Sequence, residues 1–468
     1  MTTLKAKALC SLDILRAVSG HRWGADFSTL KQLYWAITKS KLDYGSQIYE
    51  SARASILKQL DVVHHTALRI CTGAFTSSPV DALCVAAEEP HLELHREGVL
   101  LKHMNRVTSS SCYAEMNVTR EDYDHLYLNK ENQIPIGVKY RMLTRDVDSV
   151  NHLMQRRTVS VPPWLLHHIT ICEGGAKETK KTTSIIHLKQ QFLSHLEEHR
   201  DSNHIYTDGT KTEDGVGFAR VMYGRASRGR LPADATVYTA ELTALKVALE
   251  DIALAERGDW TIFTDSLSSL KSVIMLNPKN AVVQEIQKLL IKLNSSQKKV
   301  TICKVPSHIG VEGNEHADRA AREALEVPGI HTDYLTYQDA NLVVNRLITA
   351  KWQLRWNATQ GKLKQIRPGI EPWPLELNRR GQVLITRLRI GHTRITHDYL
   401  MTRGRPPECP RCPTTILTVK HILIECPHLR DIRRKHRLGN SLKEILGRTA
   451  DVERVIAFLT EIQLIEQI

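Results

Sequence analysis

Between residues 203 and 326 the apolar pattern changes period repeatedly, and each change is fenced by turn residues. This alternation constrains the fold more than any other feature of the chain. Three strand-sized pieces come first, HIYTDGT, GVGFARVMYG and RASRGRLP, separated at Lys211–Gly215 and at Gly224, as expected for an antiparallel meander. TVYTAELTALKVALEDIAL follows with helical spacing, then WTIFTDS as a strand, SLSSLKSVIML and VVQEIQKLLIKL as helices, VTICKVPSH as a strand, and VEGNEHADRAAREAL as a last helix. The order βββαβααβα predicts a mixed five-stranded sheet with helices on its faces, an α/β fold.

A chain of 468 residues is too long for one core. Residues 1–155 carry helical periodicity in stretches such as LKQLDVVHHTALRICTGA, and are expected to form an α-rich unit. VSVPPWLLHH and CEGGAKETKKTTS, with Pro162, Pro163, Gly174 and Gly175, read as a linker over 156–200. Residues 201–326 then hold the α/β unit and 327–468 an α-rich C-terminal region. Of the formal net charge of +13, the C-terminal region carries +10, which predicts contact with a polyanion such as nucleic acid. Nine scattered cysteines suit reduced thiols better than a disulfide framework. No apolar run is long enough to span a membrane and no export signal opens the chain, so an intracellular protein, nuclear or cytoplasmic, is expected.

Acidic residues occupy special places in the α/β pattern. Asp208 ends the first predicted strand, Asp265 ends the fourth, Glu241 lies in the first long helix, and Asp318 lies in the last. If the first and fourth strands are neighbours, Asp208 and Asp265 lie side by side. Glu241 sits in YTAELTAL, among small and apolar residues that should face the sheet, where an unpaired carboxylate is costly. Charges placed there need a cation. A lone Asp at a strand end is otherwise a helix cap or turn former, and a lone helical Glu is ordinarily solvated.

IYTDGT, YTAELTAL, FTDSLSSL and VPSHIGVEGNEHAD, in this order and spacing, resemble the type 1 ribonuclease H domain over about 125 residues. The resemblance implies a ribonuclease H-like fold, with Asp208, Glu241, Asp265 and Asp318 as the metal-binding carboxylates of a site that cuts the RNA strand of an RNA–DNA hybrid endonucleolytically. Two Mg²⁺ or Mn²⁺ ions suit hard oxygen ligands of this number. The resemblance also makes His308 the histidine that shuttles a proton or aids product release, a task suited to an imidazole. Asn314 and Glu315 fall at the helix start beside it. Gly209, Thr210, Ser266, Ser268 and Asn314 are candidates for sensing the substrate and its 2′-hydroxyl, or are turn formers.

Downstream, ECPRCPTTILTVKHILIEC supplies Cys409, Cys412, His421 and Cys426, a C-x2-C-x8-H-x4-C arrangement able to close a structural Zn²⁺ site, with His397 and His428 as alternative ligands. Arginines in RLRIGHTR, MTRGRPP and RDIRRKHR surround it and could neutralise phosphates. At the other end, LYWAITKSKLDYGSQIYESA and LRICTGAFTSSPVDAL resemble the segment that follows the polymerase core in reverse transcriptases of insect-type non-LTR retrotransposons. That resemblance implies a truncated retrotransposon polyprotein. No Asp-Asp pair occurs in the chain, so DNA polymerase activity is not expected. The rival expectation is a catalytically idle, zinc-containing nucleic-acid-binding remnant.

Overall fold

A computed structural model describes residues 2–110, 127, 134–147, 152–157, 161–172, 183–373 and 376–468. The chain divides into two compact units, one of residues 1–100, 126–136 and 346–468 and the other of residues 101–125 and 137–345. Among the described residues no helix is long and apolar enough to cross a membrane.

The second unit is built on a six-stranded sheet in the order β1-β6-β5-β2-β3-β4. Its strands are β1 (Thr170–Cys172), β2 (Asn203–Lys211), β3 (Val216–Met222), β4 (Arg225–Leu231), β5 (Asp259–Thr264) and β6 (Lys299–Lys304). Strands β2, β3 and β4 form the expected antiparallel meander, while β1, β6, β5 and β2 run parallel. The helices are α1 (Ile185–Glu198), α2 (Val237–Leu254), α3 (Leu267–Val273), α4 (Ala281–Ser295) and α5 (Glu312–Glu323).

Alternation along the central strands explains the layering. Ile205 and Ile262 point to one face, where they pack with Leu242, Leu245 and Leu249 of α2 and with Val283 and Ile286 of α4. Tyr206 and Phe263 point to the other face and stack at 5.1 Å. Phe263 meets Phe192 of α1 edge-on at 5.6 Å, and burying such a ring contributes about 1.5–3 kcal/mol. On that same face Ala320 and Ala321 of α5 lie against Ala219 of β3.

Two expectations need correction here. The sheet has six strands, not five, because β1 pairs in parallel with β6, Thr170 opposite Thr301 and Cys172 opposite Cys303. The supposed linker 156–200 therefore supplies both an edge strand and a covering helix. Its Pro-Pro pair opens a 3₁₀ turn over Pro163–His168, and Ser184 caps α1 by accepting a hydrogen bond from the His187 N–H at 3.3 Å. Gly174 and Gly175 lie outside the described residues.

The expected boundary at 326 also differs. Leu335, Ala340 and Val343 join Val216, Phe218 and Ala244 in one buried cluster, so the sheet unit continues past 326. In the first unit Leu12, Leu15, Tyr34, Leu60 and Leu83 share a core with Trp352, Trp356, Leu363 and Ile390. N- and C-terminal helices thus bury their apolar stripes against each other rather than as separate domains. A further cluster holds Leu388, Val419, Ile422, Leu446 and Phe458.

Candidate active site

The parallel register of β2 and β5 ends with Thr207 opposite Thr264, so the next residue on each strand is an aspartate, Asp208 and Asp265. Alternation puts both on the face of Tyr206 and Phe263. Asp208 was expected to end its strand; instead β2 runs on to Lys211, because β3 continues to pair with it beyond the point where β5 stops. The two carboxylates sit where the sheet narrows from parallel to antiparallel partners.

Glu241 reaches the same place from α2. Thr236 caps that helix by accepting from the Thr239 N–H at 3.2 Å, and Asp339 secures the cap. The buried Asp339 carboxylate accepts from the Thr236 N–H at 3.1 Å and from the hydroxyls of Thr236, Thr239 and Thr336 at 2.8, 2.7 and 2.6 Å. Nothing in the periodicity around residue 339 signals that role. The helix then passes so close to β2 that a Cβ on Gly209 would stand 2.5 Å from the Glu241 backbone nitrogen. One carboxylate oxygen from each of Asp208, Glu241 and Asp265 lies within 4.8 Å of the others.

Such crowding raises proton affinity. Burial first, then the charges of Asp265 and Asp318, push the Asp208 carboxyl up to about 8, although the Gly209 N–H partly offsets them. Burial, followed by Asp208 and Asp265, likewise holds Glu241 well above the ordinary carboxylate range. Glu241 Oε2 is buried without a hydrogen-bond partner, a costly state for a group that can ionise. An oxygen cluster with this orphaned atom fits hard divalent cations, which would cancel the like charges and supply the missing partner.

Asp318, on α5, lies near enough to Asp208 to raise its proton affinity and forms an ion pair with Arg322 at 3.0 Å. It also falls within 4.8 Å of donor atoms of His308 and Glu315. His308 is exposed and adopts a left-handed backbone, φ +50°, in the loop before α5. The expected residues therefore fall into two groups, Asp208, Glu241 and Asp265 in one and Asp318 with His308 in the other, with the charge of Asp318 felt at Asp208. Among the expected substrate groups, Gly209 is buried under α2, Thr210 is half-buried and Ser268 is exposed. Ser266 caps α3, its hydroxyl accepting from the Ser269 N–H at 3.4 Å. Asn314 is buried with its Oδ1 unpartnered.

In the first unit, Cys409 and Cys412 flank the turn of a two-stranded hairpin, β7 (Glu408–Cys409) and β8 (Cys412–Ile416). His421 opens a helical turn and Cys426 closes it. The four donor atoms lie within 4.8 Å of one another, with Cys412 and Cys426 sulfurs 3.7 Å apart, and neither His397 nor His428 belongs to the set. Burial works against ionising Cys409, yet backbone amides of Arg411 and Cys412 prevail and draw its thiol below the usual range. His421 Nε2 is buried without a partner. Three sulfurs and one imidazole nitrogen suit a closed tetrahedral Zn²⁺ site.

Residues 200–326 match the family model described as RNase H. No curated protein matches the chain.

Proposed function

Taking the RNase H domain at residues 200–326 as premise, we propose that Asp208, Glu241, Asp265 and Asp318 hold two divalent cations, Mg²⁺ or Mn²⁺, and that this unit hydrolyses the RNA strand of RNA–DNA hybrids endonucleolytically. An RNase H domain implies hydrolysis of such hybrids in general; the residue roles are our reading. When bound, the ion pair supplies an activated water, a stabilised phosphorus centre and a shielded leaving oxygen.

The chain contributes position. Asp208 and Asp265 are held by adjacent strands, and Glu241 by a helix pressed backbone to backbone on β2. Asp318 is steadied by Arg322. His308, on an exposed loop beside Asp318, can exchange a proton with solvent during turnover or product release. Thr210, Ser266 and Ser268 lie on or beside these elements and are proposed to face the substrate, whereas Gly209 and Asn314, both buried, are proposed to shape the site from behind. Cys409, Cys412, His421 and Cys426 are proposed to hold a structural Zn²⁺. Around them Arg403, Arg405, Arg411, Arg430, Arg434 and Arg437 are solvent-exposed or partly so, and would neutralise phosphates without reading sequence. An N-terminal segment like those of non-LTR retrotransposons, an RNase H domain and a Cys/His cluster, in that order, support a retrotransposon origin.

The observation that carries the reading is the convergence of Asp208, Glu241 and Asp265 within 4.8 Å of one another, together with a buried, unpartnered oxygen on Glu241. The experiment is cleavage of an end-labelled RNA–DNA hybrid with and without Mg²⁺, alongside Asp265→Asn. Cleavage should require the metal and fall by at least about 10²–10³-fold in the variant, as when one electrostatic group leaves an active site. A wild-type chain that binds the hybrid and leaves it intact would instead identify an idle nucleic-acid-binding protein.

A further inference from the structure

A third group of metal-ligating side chains lies in the first unit, apart from both sites above. His65 is on the helix Ala54–Thr72, Cys84 on the helix Val80–Ala86, and His91 immediately precedes the helix Leu92–Thr108. One donor atom from each lies within 4.8 Å of the other two. Cys84 is fully buried, His91 nearly so, and His65 half-buried.

The orientation of His91 is informative. Its Nδ1 faces the Cys84 sulfur at 3.8 Å, while its Nε2 meets Asp81 Oδ1 at 2.8 Å. A carboxylate on the far nitrogen fixes the ring and its tautomer, and this is how proteins commonly orient imidazoles that ligate metal. Tetrahedral Zn²⁺ with bonds of about 2.0–2.3 Å holds sulfur and nitrogen about 3.5 Å apart, close to the separation seen. An S–H···N contact alone explains Cys84 and His91; it does not explain why His65 turns towards the same point.

Protonation states agree with this geometry. Burial, then His91 and Arg69, lower the His65 pKa to about 4, and burial, then Arg355, lower that of His91, so both rings are neutral donors at pH 7. Burial raises the Cys84 thiol, so metal uptake must expel its proton. Arg355, whose charge is felt by all three groups, is engaged by Asp81 at 3.1 Å and Glu93 at 3.8 Å.

We propose that His65, Cys84 and His91 form a second thiolate–imidazole metal site, suited to Zn²⁺, with Asp81 orienting His91 and the fourth position open to water. It ties together three helices that follow one another in the chain. Mixed sulfur and nitrogen donors select a borderline-soft ion and disfavour Mg²⁺ or Ca²⁺.

The test uses the full-length chain stripped of metal and titrated with Co²⁺, read by the thiolate-to-cobalt charge-transfer band, which carboxylate sites do not produce. Wild type should take up one thiolate-bound equivalent more than Cys84→Ser, and Cys412→Ser should lose a different equivalent. Equal uptake by wild type and Cys84→Ser overturns the proposal. Near-ultraviolet circular dichroism establishes whether Cys84→Ser folds. If it does not, Asp81→Asn decides, since it keeps every ligand: affinity for that equivalent should weaken about 10–100-fold, and unchanged affinity overturns the proposal.

Discussion

Gly209 and Glu241 touch through their backbones: the space a Cβ at 209 would need is taken by the Glu241 amide nitrogen, 2.5 Å away, and by the Ala240 carbonyl carbon at 2.8 Å. The strand that carries Asp208 and the helix that carries Glu241 therefore have one allowed spacing.

Gly209→Ala should push α2 off β2 and carry Glu241 out of the acidic cluster. Overpacking of this kind costs about 1–3 kcal/mol. Hybrid cleavage should fall by about tenfold or more, with the loss partly recovered at higher Mg²⁺, because the ligand is displaced rather than removed. A variant with full activity and unchanged thermal stability would refute the tight-contact account.

Asp208→Asn should do opposite things to activity and to metal-free stability. Cleavage should drop by at least about 10²-fold. Without divalent metal, however, the folded Asp208 carboxyl has its pKa raised from 3.8 to about 8. The folded state therefore binds more protons than the unfolded one between those values, and stability associated with Asp208 is complete below pH 4 and lost as pH rises through 8. Denaturation of metal-free wild type should show stability falling over that window. Asp208→Asn should flatten the slope, and added Mg²⁺ should do the same in wild type. A wild-type profile that rises from pH 5 to 8 and is matched by the variant would contradict it.

His308→Asn removes the imidazole while keeping a residue type that tolerates φ +50°. Turnover should slow by about 10²-fold, the lower end for a proton-transfer group, with less change in KM and none in melting temperature. Complete loss of activity would mean that His308 does more than move a proton; an unaltered kcat would remove it from the mechanism.

Cys426→Ser should forfeit the Zn²⁺ proposed at the β7–β8 hairpin, where binding of such an ion would contribute on the order of 10 kcal/mol to folding. Limited proteolysis should then cut near residues 408–426 first. Hybrid cleavage at saturating substrate should persist, with KM raised by the loss of the arginines ordered around the hairpin. Abolished kcat with the sheet unit still folded would assign the cluster to the chemistry.

The acidic site was largely legible in the residues because its members stand where two patterns meet. Asp208 and Asp265 follow alternating runs, and Glu241 breaks an otherwise apolar helix face, so each signals itself against its neighbours. What stayed hidden was encoded without period. The strand β1 is three residues long, too short for alternation to declare itself, and its pairing with β6 is visible only in space. Asp339 contacts Thr236 and Thr239 across a gap of about a hundred residues, and no local propensity marks a buried carboxylate that accepts from three hydroxyls. Likewise, His65, Cys84 and His91 follow no familiar ligand spacing, because three separate helical segments bring them together. The 156–200 segment misled for the converse reason: its Pro-Pro pair does open a 3₁₀ turn, but the helix that follows at Ile185–Glu198 is long enough to cover the sheet.

The position of Asp318 on α5, the final helix of the matched region, has a consequence for biosynthesis. While the ribosome is still translating the codons before it, the emerging polypeptide can pair β2 with β5 and dock α2, yet it lacks one of the four acidic groups. On the reading advanced above, the nascent protein is chemically silent towards nearby RNA until that helix clears the exit tunnel, so the order of elements itself delays the onset of cutting.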